Sequence, residues 1–280
     1  MDRLSQLLRW FSLHAGAFYA GQICSIQEFD EDPHQGHLHL IKRGPVTLVE
    51  AGVPPVLIDV PTIIFMPKPK WHRLIVEDKL GAEVVCANIK FGTEGSNPVT
   101  DSLPHLVCMP LDHLPGTRAL MSLMQDEAFS EQMGRRAALD RLCEMLLIHV
   151  LRHCMANGSI NRGALAGLSD ARLQKVLQSI HQAPTHKWDL VDMASIAGMS
   201  RSRFADHFKA VIGQTPADYL VSWRVALAQK LLRAGRPVKS VADEVGYAGT
   251  TAFSKAFSRK TGVAPAQWLK SLASDQVDLD

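Results

Sequence analysis

The sequence predicts an α+β protein of several domains: an antiparallel β-barrel with accompanying helices first, then an all-α region built from two helix-turn-helix units. Two observations predict it. Between about residues 21 and 110, short β-branched and apolar runs alternate with Gly, Pro and charged punctuation, the signature of an antiparallel barrel or sandwich. Beyond about residue 167 every segment has helical periodicity, and one pattern is written twice. Leu190, Met193, Ala194, Ala197 and Gly198 are matched 48 residues later by Val238, Val241, Ala242, Val245 and Gly246. Phe204, Phe208, Gly213 and Pro216 are then matched 49 residues later by Phe253, Phe257, Gly262 and Pro265. A short amphipathic helix, a glycine turn and a second helix with Phe at i and i+4 read as helix-turn-helix, and a tandem pair points to DNA.

Bulk properties agree. The 280-residue chain carries a net charge of only +2, yet residues 169–272 hold 15 Lys and Arg against 7 Asp and Glu. A basic region joined to a mildly acidic one is expected where one part alone approaches phosphates. Asp2, Arg3 and Arg9 interrupt the apolar residues of the N-terminus, so no signal peptide is read there. No apolar run approaches the roughly 18 residues that span a bilayer, and a cytoplasmic location without membrane contact is expected. The five cysteines, Cys24, Cys86, Cys108, Cys143 and Cys154, have no Cys-x-x-Cys spacing and are expected as thiols.

In chain order, strands are predicted over 38–41, 46–49, 56–60, 63–65, 73–76 and 83–89, and helices over 114–129 and 135–155. The Gly- and Asn-rich stretch 157–167 reads as a linker. The expected division is a barrel domain at 1–112, a helical segment at 113–156 suited to dimerisation, the linker at 157–167, and the DNA-binding domain at 168–272.

In the first repeat, Asp189 is placed to cap a helix ended by Gly198, and Ser200 to cap a second whose Phe204, Phe208 and Val211 point inward. That leaves Arg201, Ser202, Arg203, Ala205, Asp206 and Lys209 for a major groove. In the second repeat Phe253 and Phe257 point inward, leaving Thr250, Thr251, Ser254 and Lys255 outside. Hydroxyls and a lysine in the first half of such a helix suit base edges and phosphates. The helix begun by Pro216 joins the units, setting two readers on groove faces about one DNA turn, roughly 34 Å, apart.

The segments 196–220 (IAGMSRSRFADHFKAVIGQTPADYL) and 241–269 (VADEVGYAGTTAFSKAFSRKTGVAPAQWL) resemble the two signature segments of the AraC/XylS family of transcription regulators. The resemblance covers residues 168–272. It implies binding to promoter double-stranded DNA, usually as an activator; RNA polymerase and a second copy in a homodimer are the expected protein partners, and no catalytic residues are expected. Where relatives often carry Trp, Gln or Arg on the first reader, this chain has Ser202, Ala205 and Asp206.

The same family commonly places a cupin-like sensor barrel before the DNA reader, and the strand count fits one. No cofactor is required, but cupins can hold a divalent metal. His37 and His39 share a strand face, with His34 and His72 as further candidate ligands. The spacing to Gly44 is shorter than the metal-cupin motif requires, and no Glu follows at the expected place. The N-terminal residues are also similar to a reactive-chlorine-responsive branch of the family: MDRLSQLL, Cys24 before a strand, Pro33-His34, and Val85-Cys86 in a late strand. That likeness implies redox-sensing roles for Cys24 and Cys86. Two other readings remain: a barrel that senses a small molecule or metal, and a metal-dependent cupin enzyme fused to helices.

Overall fold

The computed structural model describes residues 2–11, 13–32, 35–77, 81–92 and 97–277. The chain divides into two compact units: Ser12–Gly92 with Leu103–Ile160, and Met1–Phe11 with Thr93–Ser102 and Asn161–Asp280.

The first unit is the barrel. Its strands are β1 (Leu13–Ile23), β2 (Gln27–Phe29), β3 (Gly36–Arg43), β4 (Val46–Glu50), β5 (Val56–Ile58), β6 (Thr62–Met66), β7 (His72–Ile75), β8 (Ala82–Phe91) and β9 (Val107–Pro110). They form a five-stranded sheet, β1-β8-β3-β6-β9, and a four-stranded sheet, β2-β7-β4-β5, in which neighbouring strands run antiparallel. Alternation sends Ile41, Ile64, Val84 and Cys86 of one sheet against Val46, Leu48, Ile58 and Leu74 of the other. Each such aliphatic side chain, removed from water, contributes about 1.5–3 kcal/mol. Gly36 begins β3 because the strands meet tightly there: a Cβ would lie 2.2 Å from the Met66 carbonyl oxygen.

Six strands fall where the apolar runs predict them. β1 does not announce itself, because Ala15, Gly16, Ala17, Ala20 and Gly21 are poor strand formers. It is set by its ladder to β8, from Leu13 opposite Phe91 to Ile23 opposite Ala82, with a bulge between Ala17 and Tyr19. Its free edge is closed by side chains of a helix: the Ala17 N–H donates to Asp140 Oδ1 at 2.6 Å, and the Ala15 N–H to Glu144 Oε1 at 3.4 Å. Such closure removes a template for strand addition. The helices of this unit are α2 (Arg118–Ala128) and α3 (Arg135–Ala156). α3 buries Leu139, Cys143, Leu146, Leu147, Val150, Leu151 and Cys154.

The second unit is helical and discontinuous in sequence. It contains α1 (Arg3–Trp10), α4 (Ala164–Ser169), α5 (Leu173–Gln182), α6 (Leu190–Ala197), α7 (Arg201–Ile212), α8 (Pro216–Arg233), α9 (Val238–Glu244), α10 (Thr250–Thr261) and α11 (Pro265–Val277). Asp2 caps α1 by accepting the Ser5 N–H at 2.9 Å. Leu4, Leu7 and Phe11 lie on one buried face, and the Phe11 ring meets Trp223 of α8 edge-on at 5.4 Å. Lys230 Nζ donates to the Arg9 carbonyl at 2.6 Å. The 97–102 segment docks here too: Ser102 Oγ accepts the Leu165 N–H at 3.2 Å. α4 occupies part of the stretch whose Gly and Asn content reads as linker.

Candidate nucleic-acid interface and barrel interior

The two helix-turn-helix units are α6–α7 and α9–α10, each followed by a helix that starts with Pro, α8 or α11. Asp189 caps α6 through the Asp192 N–H at 2.8 Å, and Gly198 ends it in the left-handed conformation. Ser200 stands at the N-cap of α7, but its side chain makes no capping hydrogen bond, a correction to the sequence expectation. The third inward position of α7 belongs to Ile212, which is buried, while Val211 is only half-buried.

Phe204 and Phe208 meet at 5.5 Å, and Phe253 and Phe257 at 5.6 Å. The duplication extends one aromatic further than the Phe pairs. Phe208 meets Tyr219 at 5.7 Å, and Phe257 meets Trp268 at 5.7 Å, both edge-on at 73°. Tyr219 and Trp268 stand at equivalent places of the two repeats, so the same three-ring wedge fastens each reader helix to the one behind it. Ala194 and Ala242 are buried, small where helices cross closely.

With those faces committed inward, the outward ones follow. Arg201, Ser202, Arg203, Asp206 and Lys209 are exposed and Ala205 is half-buried; Thr250, Thr251 and Lys255 are exposed and Ser254 is half-buried. The first face opens on a shallow concavity bordered by Arg172, Ser202, Arg203 and His207. His207, absent from the sequence-based candidates, anchors α7 to the start of α5 through Asp170 Oδ2 at 2.9 Å. Partial burial raises the Asp170 carboxyl, but the N–H groups of Leu173 and Arg172 and the His207 ring outweigh it and hold the group below the usual carboxylate range. Between the units, Arg224 of α8 donates to the Pro184 carbonyl at 2.8 Å and the His186 carbonyl at 2.9 Å, and lies over the Tyr247 ring. No periodicity signals such a long-range tie.

In the barrel, three of the four candidate histidines come together: His37 and His39 on β3 and His72 on β7, all buried. His34 lies outside the described residues. The ring centroids are 5.0–5.9 Å apart, with Phe29 stacked on His72. His72 Nδ1 is 2.9 Å from the Lys70 carbonyl, which can only accept, so His72 carries its proton there and offers Nε2 as an acceptor. His39 Nε2, 2.8 Å away, then donates. Nδ1 of His37 and of His39 remain buried without a partner. Among the described residues no group of three or more His, Cys, Asp or Glu side chains is placed to hold a metal ion. Desolvation is the main reason that all three rings resist protonation: His39 is held well below the ordinary histidine range, His37 is lowered to about 4, and His72 is also lowered.

The two candidate redox cysteines are not neighbours. Cys24 is exposed just past β1, beside Gly81, whereas Cys86 is buried on the inner face of β8. Ile23 pairs with Ala82 and Tyr19 with Cys86. At about 3.3 Å per residue, the five steps from Gly81 to Cys86 span roughly 16 Å. Disulfides join Cα atoms less than about 7 Å apart, so a direct bridge does not fit this ladder. Burial also pushes the Cys86 thiol far up, which suppresses its thiolate.

Fold and site define a class: an antiparallel β-barrel domain on a chain that also carries paired helix-turn-helix units. The chain matches the cupin family over residues 2–156 and the helix-turn-helix domain family over residues 193–271. A putative AraC-like transcription regulator of Streptomyces antibioticus is 33% identical over 67% of this chain and 63% of that relative's length. The RCS-specific HTH-type transcriptional activator RclR of Escherichia coli K12 is 28% identical over 96% of this chain and 97% of its own. The protein belongs to the cupin-containing branch of the AraC-type regulator family.

Proposed function

We propose that the protein is a transcription activator that binds promoter double-stranded DNA through α7 and α10. The observation that carries this reading is the pair of reader helices held by equivalent aromatic wedges, closed by Tyr219 in one and Trp268 in the other, with unlike outward faces: Ser202, Ala205 and Asp206 on one, Thr251, Ser254 and Lys255 on the other. One scaffold with two different readers suits an asymmetric site. The names of the relatives support it, as does the excess of basic residues in 169–272. Contacts with RNA polymerase, and pairing of two chains through α2 and α3, complete the proposal. Among the described residues no helix is long and apolar enough to cross a membrane.

Lys255→Ala tests the interface on a DNA site recovered by selection from a random-sequence pool. Loss of one phosphate contact is expected to weaken binding and flatten the slope of log affinity against log salt by about one unit. An unchanged slope removes Lys255 from the phosphate-contacting set.

The signal proposed for the barrel is an oxidant of the reactive chlorine class. Its support is the specificity carried in the name of the Escherichia coli relative and the exposure of Cys24. Cys24 is the thiol an oxidant meets first, and Cys86 joins only if the β1–β8 ladder opens. Transcripts from the target promoter after hypochlorite treatment are expected to rise with the wild type and to stay flat with Cys24→Ser. A full response from Cys24→Ser rejects the oxidant reading at this residue.

A further inference from the structure

The barrel unit holds a cavity of about 260 Å³ between the outer face of the five-stranded sheet and α2. Alternation along β3 and β8 explains its floor: with His39, Ile41, Val84 and Cys86 committed to the interior, Leu40 and Val85 face outward. On the helix, Leu120 and Met124 are buried, while Arg118, Met121, Ser122 and Gln125, at i, i+3, i+4 and i+7, run along the cavity together with Ala128. Leu111 and Phe129 close the apolar wall.

The polar equipment is lopsided. Glu83 is already flanked by Lys42 Nζ at 3.4 Å and Arg43 Nη2 at 3.3 Å. Arg118, the first residue of α2, has no carboxylate partner among the described residues, and it sits where the helix dipole also favours an anion. The volume is slightly below the range of roughly 300–1,000 Å³ typical of drug-sized ligands, which suits about a dozen non-hydrogen atoms.

We propose that this cavity binds an amphipathic monoanion, an aliphatic tail lying between Leu40, Val85 and Met121 with its carboxylate on Arg118. The site is separate from the histidine cluster, Cys24 and the reader helices. Its test is made on the full chain without DNA, so failure leaves the DNA reading untouched.

Calorimetric titration with decanoate, and with decanol as the uncharged probe, reads the binding. Decanoate is expected to bind saturably to the wild type and more tightly than decanol. Arg118→Gln, at an exposed position, is expected to weaken decanoate about tenfold, the scale of one charge-assisted hydrogen bond, and to leave decanol unchanged. Met121→Trp, which fills the cavity, is expected to abolish both, with circular dichroism confirming the fold. Absence of saturable decanoate binding to the wild type overturns the proposal. Equal losses of decanoate and decanol in Arg118→Gln overturn the headgroup assignment, and undiminished binding in folded Met121→Trp overturns the location.

Discussion

Gly246→Ala is expected to destabilise the helical unit by roughly 2–4 kcal/mol, among the largest effects of any single methyl added to this chain. Two costs combine. Gly246 has φ +86°, a left-handed conformation that costs an L-residue roughly 1–2 kcal/mol. Its new Cβ would also stand 2.7 Å from Thr185 Cα and 3.0 Å from both the Pro184 carbonyl oxygen and Arg224 Nη2. The clash falls on backbone, and on the arginine that ties α8 to the 184–186 segment. Gly262 supplies a matched control: φ is +82° and a Cβ meets nothing within 4 Å. Urea denaturation followed through tryptophan fluorescence should place Gly262→Ala between the wild type and Gly246→Ala. Equal losses in the two variants contradict the steric account.

Acid is expected to loosen the barrel before the helical unit. A histidine depressed in the folded state stabilises the fold fully above its unfolded pKa of about 6.5. As pH falls, the unfolded chain gains the proton first, and stability drops until the folded pKa is reached. For His37 the window runs from about 6.5 to about 4, and for His181 of the helical unit to about 3. In the well-titrated part of that window each buried ring costs about 1.4 kcal/mol per pH unit. The barrel has three lowered rings against His181 in the helical unit, so its slope should be the steeper of the two. Hydrogen exchange resolved by peptide between pH 7 and pH 5 measures both units in one sample. His39→Leu should flatten the barrel slope by about one ring's share, and equal slopes in wild type and variant rule out the histidine explanation.

How much was legible follows from the range of the interactions. The paired repeat, the six apolar strands and the glycine ends of α6, α7 and α10 are written locally, in periodicity and turn residues. The shared face of His37 and His39 follows from their spacing of two, but bringing His72 to them depends on how the two sheets face each other. β1 is invisible locally because small residues form it, and only β8 and the α3 carboxylates complete its hydrogen bonds. His207, Arg224 and the stacked His181–Trp223 pair, at 3.6 Å between centroids, act across 37 to 42 residues of chain. The distance between Cys24 and Cys86 was hidden for the same reason: a likeness can suggest two thiols, but strand register separates them.

The docking of α1 on α8 sets an order in time. Residues 2–11 leave the ribosome about 200 residues ahead of Trp223, and at roughly 5–20 residues per second they wait about 10–40 s for the ring that Phe11 packs against. Through that interval Leu4, Leu7 and Phe11 are an uncovered apolar face on the nascent chain, open to chaperones. Final closure of the helical unit thus has to await synthesis of most of the chain, so the DNA reader acquires its complete packing after the barrel segments have already emerged.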